Sequence, residues 1–361
     1  MMSAVNNNVS MPSLPSRSVY VQKEEKSDRM LRIDSIVAQS WYVLGVALTG
    51  ATLFAGFVTT IFPTSLSFTI LTVSIVALSL LATKVAVSAL EPHLSPRMKE
   101  VADYVQATLG DILLAMSDLF VKPLYIYKKF FHKAEMKEGR PIVWIHGYGG
   151  EAAANWYKEY RLEHACMGPL FTINLGSAML FDINDHAAKL KAFLEKVRKK
   201  TGRDDVTIIC HSMGGVVATH FLNEHCDEKT QVKEIVTLGS PLQGTPIASV
   251  ASLNPLDKCA KDMRQDSELI KNLATKVKTK SKTRFLHVAS KNDLIIPVES
   301  ALFKNHEGEN VERVLVSGVG HCGLPFSDAA IDSVIDFLKR DTEYQSAHVK
   351  HTTSAAIAVA V

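Results

Sequence analysis

The chain has 361 residues, with 40 Lys and Arg against 37 Asp and Glu and a formal net charge of +3 at pH 7 with His neutral. Charged residues make up 21% and apolar ones 47%, which excludes a disordered polyelectrolyte and supplies ample material for a core. So small a net charge, with no basic stripe carrying interleaved aromatics in the globular part, gives no support to a nucleic-acid footprint.

The first 40 residues combine Ser, Asn and Pro with mixed charge and read as a disordered tail. Between Asp34 and Lys84 lie 49 consecutive residues without Asp, Glu, Lys or Arg. One membrane helix needs about 20 apolar residues, so the stretch is long enough for two. Pro63 and the following Thr-Ser-Leu-Ser interrupt it near the middle. We read a two-helix transmembrane hairpin within 41–90, with one span at about 41–62 and a second at about 66–88. Trp41 and Tyr42 serve as interfacial anchors, and Lys84 snorkels. The alternative is a buried helical pair of a soluble domain. It is disfavoured because core helices rarely run so long without a polar face.

A cleaved signal peptide does not fit, because the apolar segment starts late and follows Glu24, Glu25, Asp28 and Asp34. Arg17, Lys23, Lys26, Arg29 and Arg32 precede the hairpin, Lys84, Arg97 and Lys99 follow it, and the connection between the spans has no Lys or Arg. The positive-inside tendency then predicts an integral membrane protein with both termini and the following domain in the cytoplasm.

Residues 91–138 read as a helical linker, with apolar residues at helical spacing from Val101 to Phe120. The aromatic and basic stretch 120–133 has two readings that stay open: it lies on an anionic membrane surface, or it packs on the next domain. From 139 to 342 the pattern becomes strand, turn, helix, repeated. Short apolar runs at 141–145, 170–175, 206–210, 234–239, 284–289 and 313–318 predict strands. Helices are expected at about 185–201, 213–225 and 328–339. Buried strands alternating with helices imply an α/β fold, a mainly parallel sheet flanked by helices. The region 245–282 breaks the rhythm. It is either a lid carrying Leu253, Pro255, Leu256 and Met263 or a plain surface insertion. Residues 343–361 form a flexible tail, whose terminal apolar run is too short to span a bilayer.

The segment Cys210-His211-Ser212-Met213-Gly214-Gly215 lies between an apolar strand and a helix, where a nucleophile elbow sits. Small residues are needed two before and two after the serine. Gly214 supplies one, and Cys210 stands where the first glycine is usual. A serine needs a histidine to take its proton, and that histidine needs a carboxylate to fix its tautomer. In this fold they follow the serine in the order acid, then histidine, each on a loop after a strand. Asp293 and His321 meet both conditions, against the simpler readings of a turn residue and a surface histidine. An oxyanion hole needs two donors aimed at developing negative charge. The amide of Met213 is one. The other is expected in His146-Gly147-Tyr148-Gly149-Gly150, at the Tyr148 amide, with Gly149 second in order. A phosphate-binding glycine loop is disfavoured because the spacing is not GxGxxG and no P-loop lysine follows.

Together HGYGG, CHSMGG, TLGSPLQGT at 237–245, SKNDLIIP and GVGHCGL resemble the lipase/esterase branch of the α/β-hydrolase superfamily. That branch includes bacterial esterase/lipases and, more distantly, GPI-inositol deacylase-like proteins. The resemblance covers about 139–342 and is most specific in TLGSPLQGT. It implies Ser212 as nucleophile, Asp293 as acid, His321 as base, and Tyr148 and Met213 as oxyanion donors.

His211 reads as structural, and His146 as a support of its own loop. The five Cys form no CxxC pair, and His348 and His351 lie in the tail, so neither a metal nor a cofactor is expected. The scattered thiols fit a reducing compartment. The resulting expectation is a membrane-anchored serine hydrolase cleaving carboxylic esters, above all lipid esters, at a bilayer. Two rivals remain: an acyltransferase or thioesterase using the same groups, and a membrane-anchored interaction protein with a non-catalytic hydrolase domain. The sequence specifies no protein partner.

Overall fold

The computed structural model of the chain describes residues 80–112, 139–148 and 161–341, apart from 86, 90, 163–164, 166–167, 177–179, 228, 278–282, 305, 307 and 309. The first span and most of the second, the stretch 120–133 and the C-terminal tail lie outside the described residues. No helix among the described residues is long and apolar enough to cross a membrane.

Six strands form one sheet: β1 (Ile142–Ile145), β2 (Leu170–Ile173), β3 (Asp205–His211), β4 (Gln231–Leu238), β5 (Arg284–Ser290) and β6 (Val311–Val316). Their order is β2-β1-β3-β4-β5-β6, and every neighbouring pair is parallel. The strands are short, continuous apolar runs because both faces of the sheet are covered. β4 and β6 begin a few residues before their apolar runs. There, the backbone of polar residues such as Gln231 and Glu312 still pairs in the ladder.

One face carries α1 (Ile183–Thr201), α2 (Met213–Glu224) and α5 (Glu268–Val277). Leu190, Leu194, Val217 and Phe221 there pack with Val143, Ile208 and Phe285. The other face carries α7 (Asp328–Lys339), whose Ile331, Val334 and Phe337 meet Trp144, Val236 and Val288. Burying such side chains contributes about 1.5–3 kcal/mol each before conformational entropy is counted. α1 starts earlier than its apolar spacing suggests because Asp182 and Asp185 form a reciprocal capping box. It ends at Gly202, whose φ of 71° closes the last turn.

The insertion between β4 and β5 folds into α3 (Pro246–Ala251), α4 (Lys258–Asp262) and α5, and α6 (Val298–Ala301) follows β5. The four apolar residues singled out from the sequence do not act alike. Met263 is buried in the core with Cys259, Ile270 and Leu273, whereas Leu253 and Leu256 are 81% and 66% exposed.

The register puts the strand ends together. Ile145 pairs with Cys210, Leu238 with Val288 and Ser290 with Val316. The loops after β1, β3, β5 and β6 therefore open at one edge, the carboxyl ends of a parallel sheet, where such folds place their sites.

Candidate active site

The turn from β3 into α2 holds Ser212 at φ 54° and ψ −128°. A non-glycine residue is strained at positive φ and must be held there by its surroundings. The Ser212 amide donates to the Leu238 carbonyl at 2.9 Å, and the Gly215 amide donates to the Ser212 carbonyl at 3.0 Å. Cys210 is fully buried below the turn, and burial pushes its thiol up, so it behaves as a small neutral filler.

The loops after β5 and β6 bring two further groups to this turn. His321 Nε2 lies 2.9 Å from Ser212 Oγ, and His321 Nδ1 lies 2.8 Å from Asp293 Oδ2. The other oxygen of Asp293 accepts from the amides of Ile295 and Ile296, both at 2.8 Å. An ionised carboxylate only accepts, so Nδ1 carries the ring proton and Nε2 faces the hydroxyl as an acceptor. The Asp293 side chain is 1% exposed and that of His321 7%, which removes competing water.

Gly239, in the TLGSP string, passes beneath this pair with φ 56°. A Cβ there would lie 3.3 Å from both Asp293 Oδ2 and His321 Nδ1, so a side chain would crowd the contact. His211 Nε2 lies 3.0 Å from the His321 carbonyl oxygen and so supports the His321 loop from the side of Ser212. His146 accepts the Leu175 amide on Nε2 at 3.0 Å, and its Nδ1 lies 2.8 Å from the Gly147 carbonyl.

Met213 opens α2, so its amide is among the first four of a helix and lacks an intrahelical partner. Gly147 approaches the serine so closely that a Cβ would lie 2.9 Å from Ser212 Cβ. This places the 146–148 loop beside the hydroxyl. Gly149 lies outside the described residues. The Tyr148 hydroxyl donates to Asp257, a buried residue that also caps α4 through the Ala260 amide at 2.9 Å. Burial and this bond push the Tyr148 phenol up, so it stays neutral. Asp257 carries no sequence signal for this contact, since it lies over a hundred residues from its partner.

Among the described residues no group of three or more His, Cys, Asp or Glu can hold a metal ion. The arrangement has the parts for proton transfer from a hydroxyl to an imidazole whose charge a buried carboxylate balances.

Residues 167–341 match the family described as "Alpha/beta hydrolase of unknown function (DUF915)". Among solved structures, the chain is similar to the product of the gene lin2722 of Listeria innocua at 17% identity, covering 57% of this chain and 96% of that one with a TM-score of 0.46. It is similar to mature Bacillus licheniformis lipase BlEst2 at 20% identity, covering 58% and 94%, with a TM-score of 0.42. The likeness to Est1E from Butyrivibrio proteoclasticus is at 15% identity, covering 59% and 90%, with a TM-score of 0.43. The family match and the parallel sheet together support an α/β-hydrolase fold for the region that holds Ser212, Asp293 and His321.

Proposed function

We propose that the protein is a serine hydrolase that cleaves carboxylic esters through an acyl-enzyme. The observation that carries this reading is the continuous chain from Ser212 Oγ through His321 to Asp293, with contacts of 2.9 and 2.8 Å. Ser212 Oγ attacks the ester carbonyl while His321 Nε2 takes its proton. Asp293 holds the ring in the required tautomer and stabilises the imidazolium. The amides of Met213 and Tyr148 receive the developing oxyanion. His321 then gives its proton to the departing alkoxide, leaving the acyl group on Ser212. Water, deprotonated by His321, attacks the acyl carbonyl, and His321 returns that proton to Ser212 Oγ as its bond to the acyl carbon breaks and the acid is released.

The direct test is labelling of the full chain with a fluorophosphonate, with Ser212→Ala as control. Labelling that depends on Ser212 supports the reading. Labelling equal in both proteins, or absent from both, defeats it.

We extend the proposal to lipid esters acted on by an enzyme anchored through the uncharged stretch 35–83. The exposed Leu253 and Leu256 of the insertion and Leu294, 67% exposed beside Asp293, support a site facing an apolar surface. Protease treatment of sealed vesicles displaying the cytoplasmic face should digest the N-terminal tail and the hydrolase domain together. Finding the two on opposite sides would defeat the hairpin.

A further inference from the structure

We propose that Asp111, on the helical segment 96–112 that precedes the hydrolase domain, is a positioning residue for His321. The proposal rests on the reading of Ser212, Asp293 and His321 as a catalytic triad. It adds a residue that the sequence pattern places in a linker.

The segment 96–112 touches both loops that carry the acid and the base. Towards its middle, the Tyr104 hydroxyl donates to the Lys291 carbonyl at 3.2 Å, and Glu100 meets Lys291 Nζ at 3.1 Å. Lys291 is two residues before Asp293. At its end, Asp111 Oδ1 accepts the Gly323 amide at 3.0 Å, two residues after His321. On the other side of the histidine, Gly320 passes so close that a Cβ there would collide with the Asp111 carboxylate. Asp111 thus grips the base loop both before and after His321.

The charged surroundings are consistent with a built contact. Burial pushes the Asp111 carboxyl up. The amides of Gly323 and His321 and the His321 ring pull it down, and the Asp293 charge pushes it up. Lys84, from the residues before the segment, is pushed down by burial while the Asp111 charge raises it. Each contact is local, and their joint effect falls on one place. The imidazole must keep two partners at 2.8 and 2.9 Å at once. A loop free to shift by about 1 Å loses that geometry, and such misplacement costs up to about 10²-fold in rate.

The test uses the full chain in detergent and a short-chain aryl ester. Asp111→Ala should lower kcat by about 10- to 100-fold with KM nearly unchanged. Fluorophosphonate labelling of Ser212 should slow in parallel. Asp111→Asn keeps a carbonyl acceptor for the Gly323 amide and should restore most of the loss. As a second, independent variant, Gly320→Ala should lower kcat in the native background and cost less when Asp111 is already Ala, because the collision partner is gone. Unchanged kcat in Asp111→Ala overturns the proposal. So does an equal loss in Asp111→Asn, or a lowered melting temperature with labelling and kcat intact, which marks a purely structural contact. Ser212-dependent turnover in the native protein keeps these outcomes separate from a failure of the triad reading. Without Ser212 dependence both ideas fall.

Discussion

His211 and His321 are neighbours across the site although 110 residues separate them: His211 Nε2 lies 3.0 Å from the His321 carbonyl, with ring centroids 4.8 Å apart. A carbonyl only accepts, so His211 is held as the tautomer with a proton on Nε2. The residue before Ser212 thereby braces the loop of His321. His211→Ala should lower kcat by about tenfold, the loss expected for a modest displacement of an aligned pair. His211→Gln, which keeps a donor at similar reach, should recover part of it. Steady-state kinetics of the two variants check this.

Groups that act as one unit lose nearly everything when any member is removed. Ser212→Ala and His321→Ala should each abolish hydrolysis by several orders of magnitude without unfolding the protein. Asp293→Asn should cost up to about 10⁴ through the wrong tautomer. Near-normal turnover in His321→Ala would remove it as the base.

At the opposite end of the strands, Arg140 meets Glu234 at 2.9 Å, Asp205 at 3.0 Å and Asp341 at 3.2 Å. Glu234 is fully buried, and burial pushes its carboxyl up. Arg140→Met leaves that acid only the Thr207 hydroxyl and the more distant Arg284, 3.5 Å away, and should destabilise the domain by up to about 3–5 kcal/mol. Arg140→Met with Glu234→Leu should recover most of this in urea unfolding.

His186 is fully buried on α1 beside Phe181, and neither ring nitrogen has a partner among the described residues. Burial, then the charges of Lys189 and His146, lowers it to about 4. The unfolded chain takes up a proton at this position near pH 6.5. Between that pH and about 4 the unfolded state therefore holds more protons, and stability falls as pH falls through the window. His186→Leu should flatten this part of the profile, as read from melting temperatures across it. An unchanged slope would place the proton uptake elsewhere.

Strand positions were legible because each is a continuous apolar run, and continuity is what a sheet covered on both faces requires. Ser212, Asp293 and His321, which the structure brings within hydrogen-bond distance, could be singled out because chain order and position after a strand restrict the candidates to a few residues. The sequence left open whether the segment with Met263 is a lid or a surface insertion, because apolar composition does not say which way a side chain in an irregular segment points. The structure turns Met263 into the core, while Leu253 and Leu256 stay outside. The helical character of 96–112 was visible in its spacing, but what it touches was not.

The alternating strand–helix order, the parallel sheet and the three residues expected at its edge can all be read from the residues alone. These follow from local periodicity and from a chain order that needs no coordinates. Which groups meet is a matter of the folded arrangement. It set the 2.9 and 2.8 Å contacts of His321, the bond from Tyr148 to Asp257, the contact of His211 with the His321 carbonyl and the bond from the Gly323 amide to Asp111. Most of these join residues over a hundred positions apart. Such contacts arise when six strands align their carboxyl ends and bring separate loops to one edge, a relation that no local pattern of residues encodes.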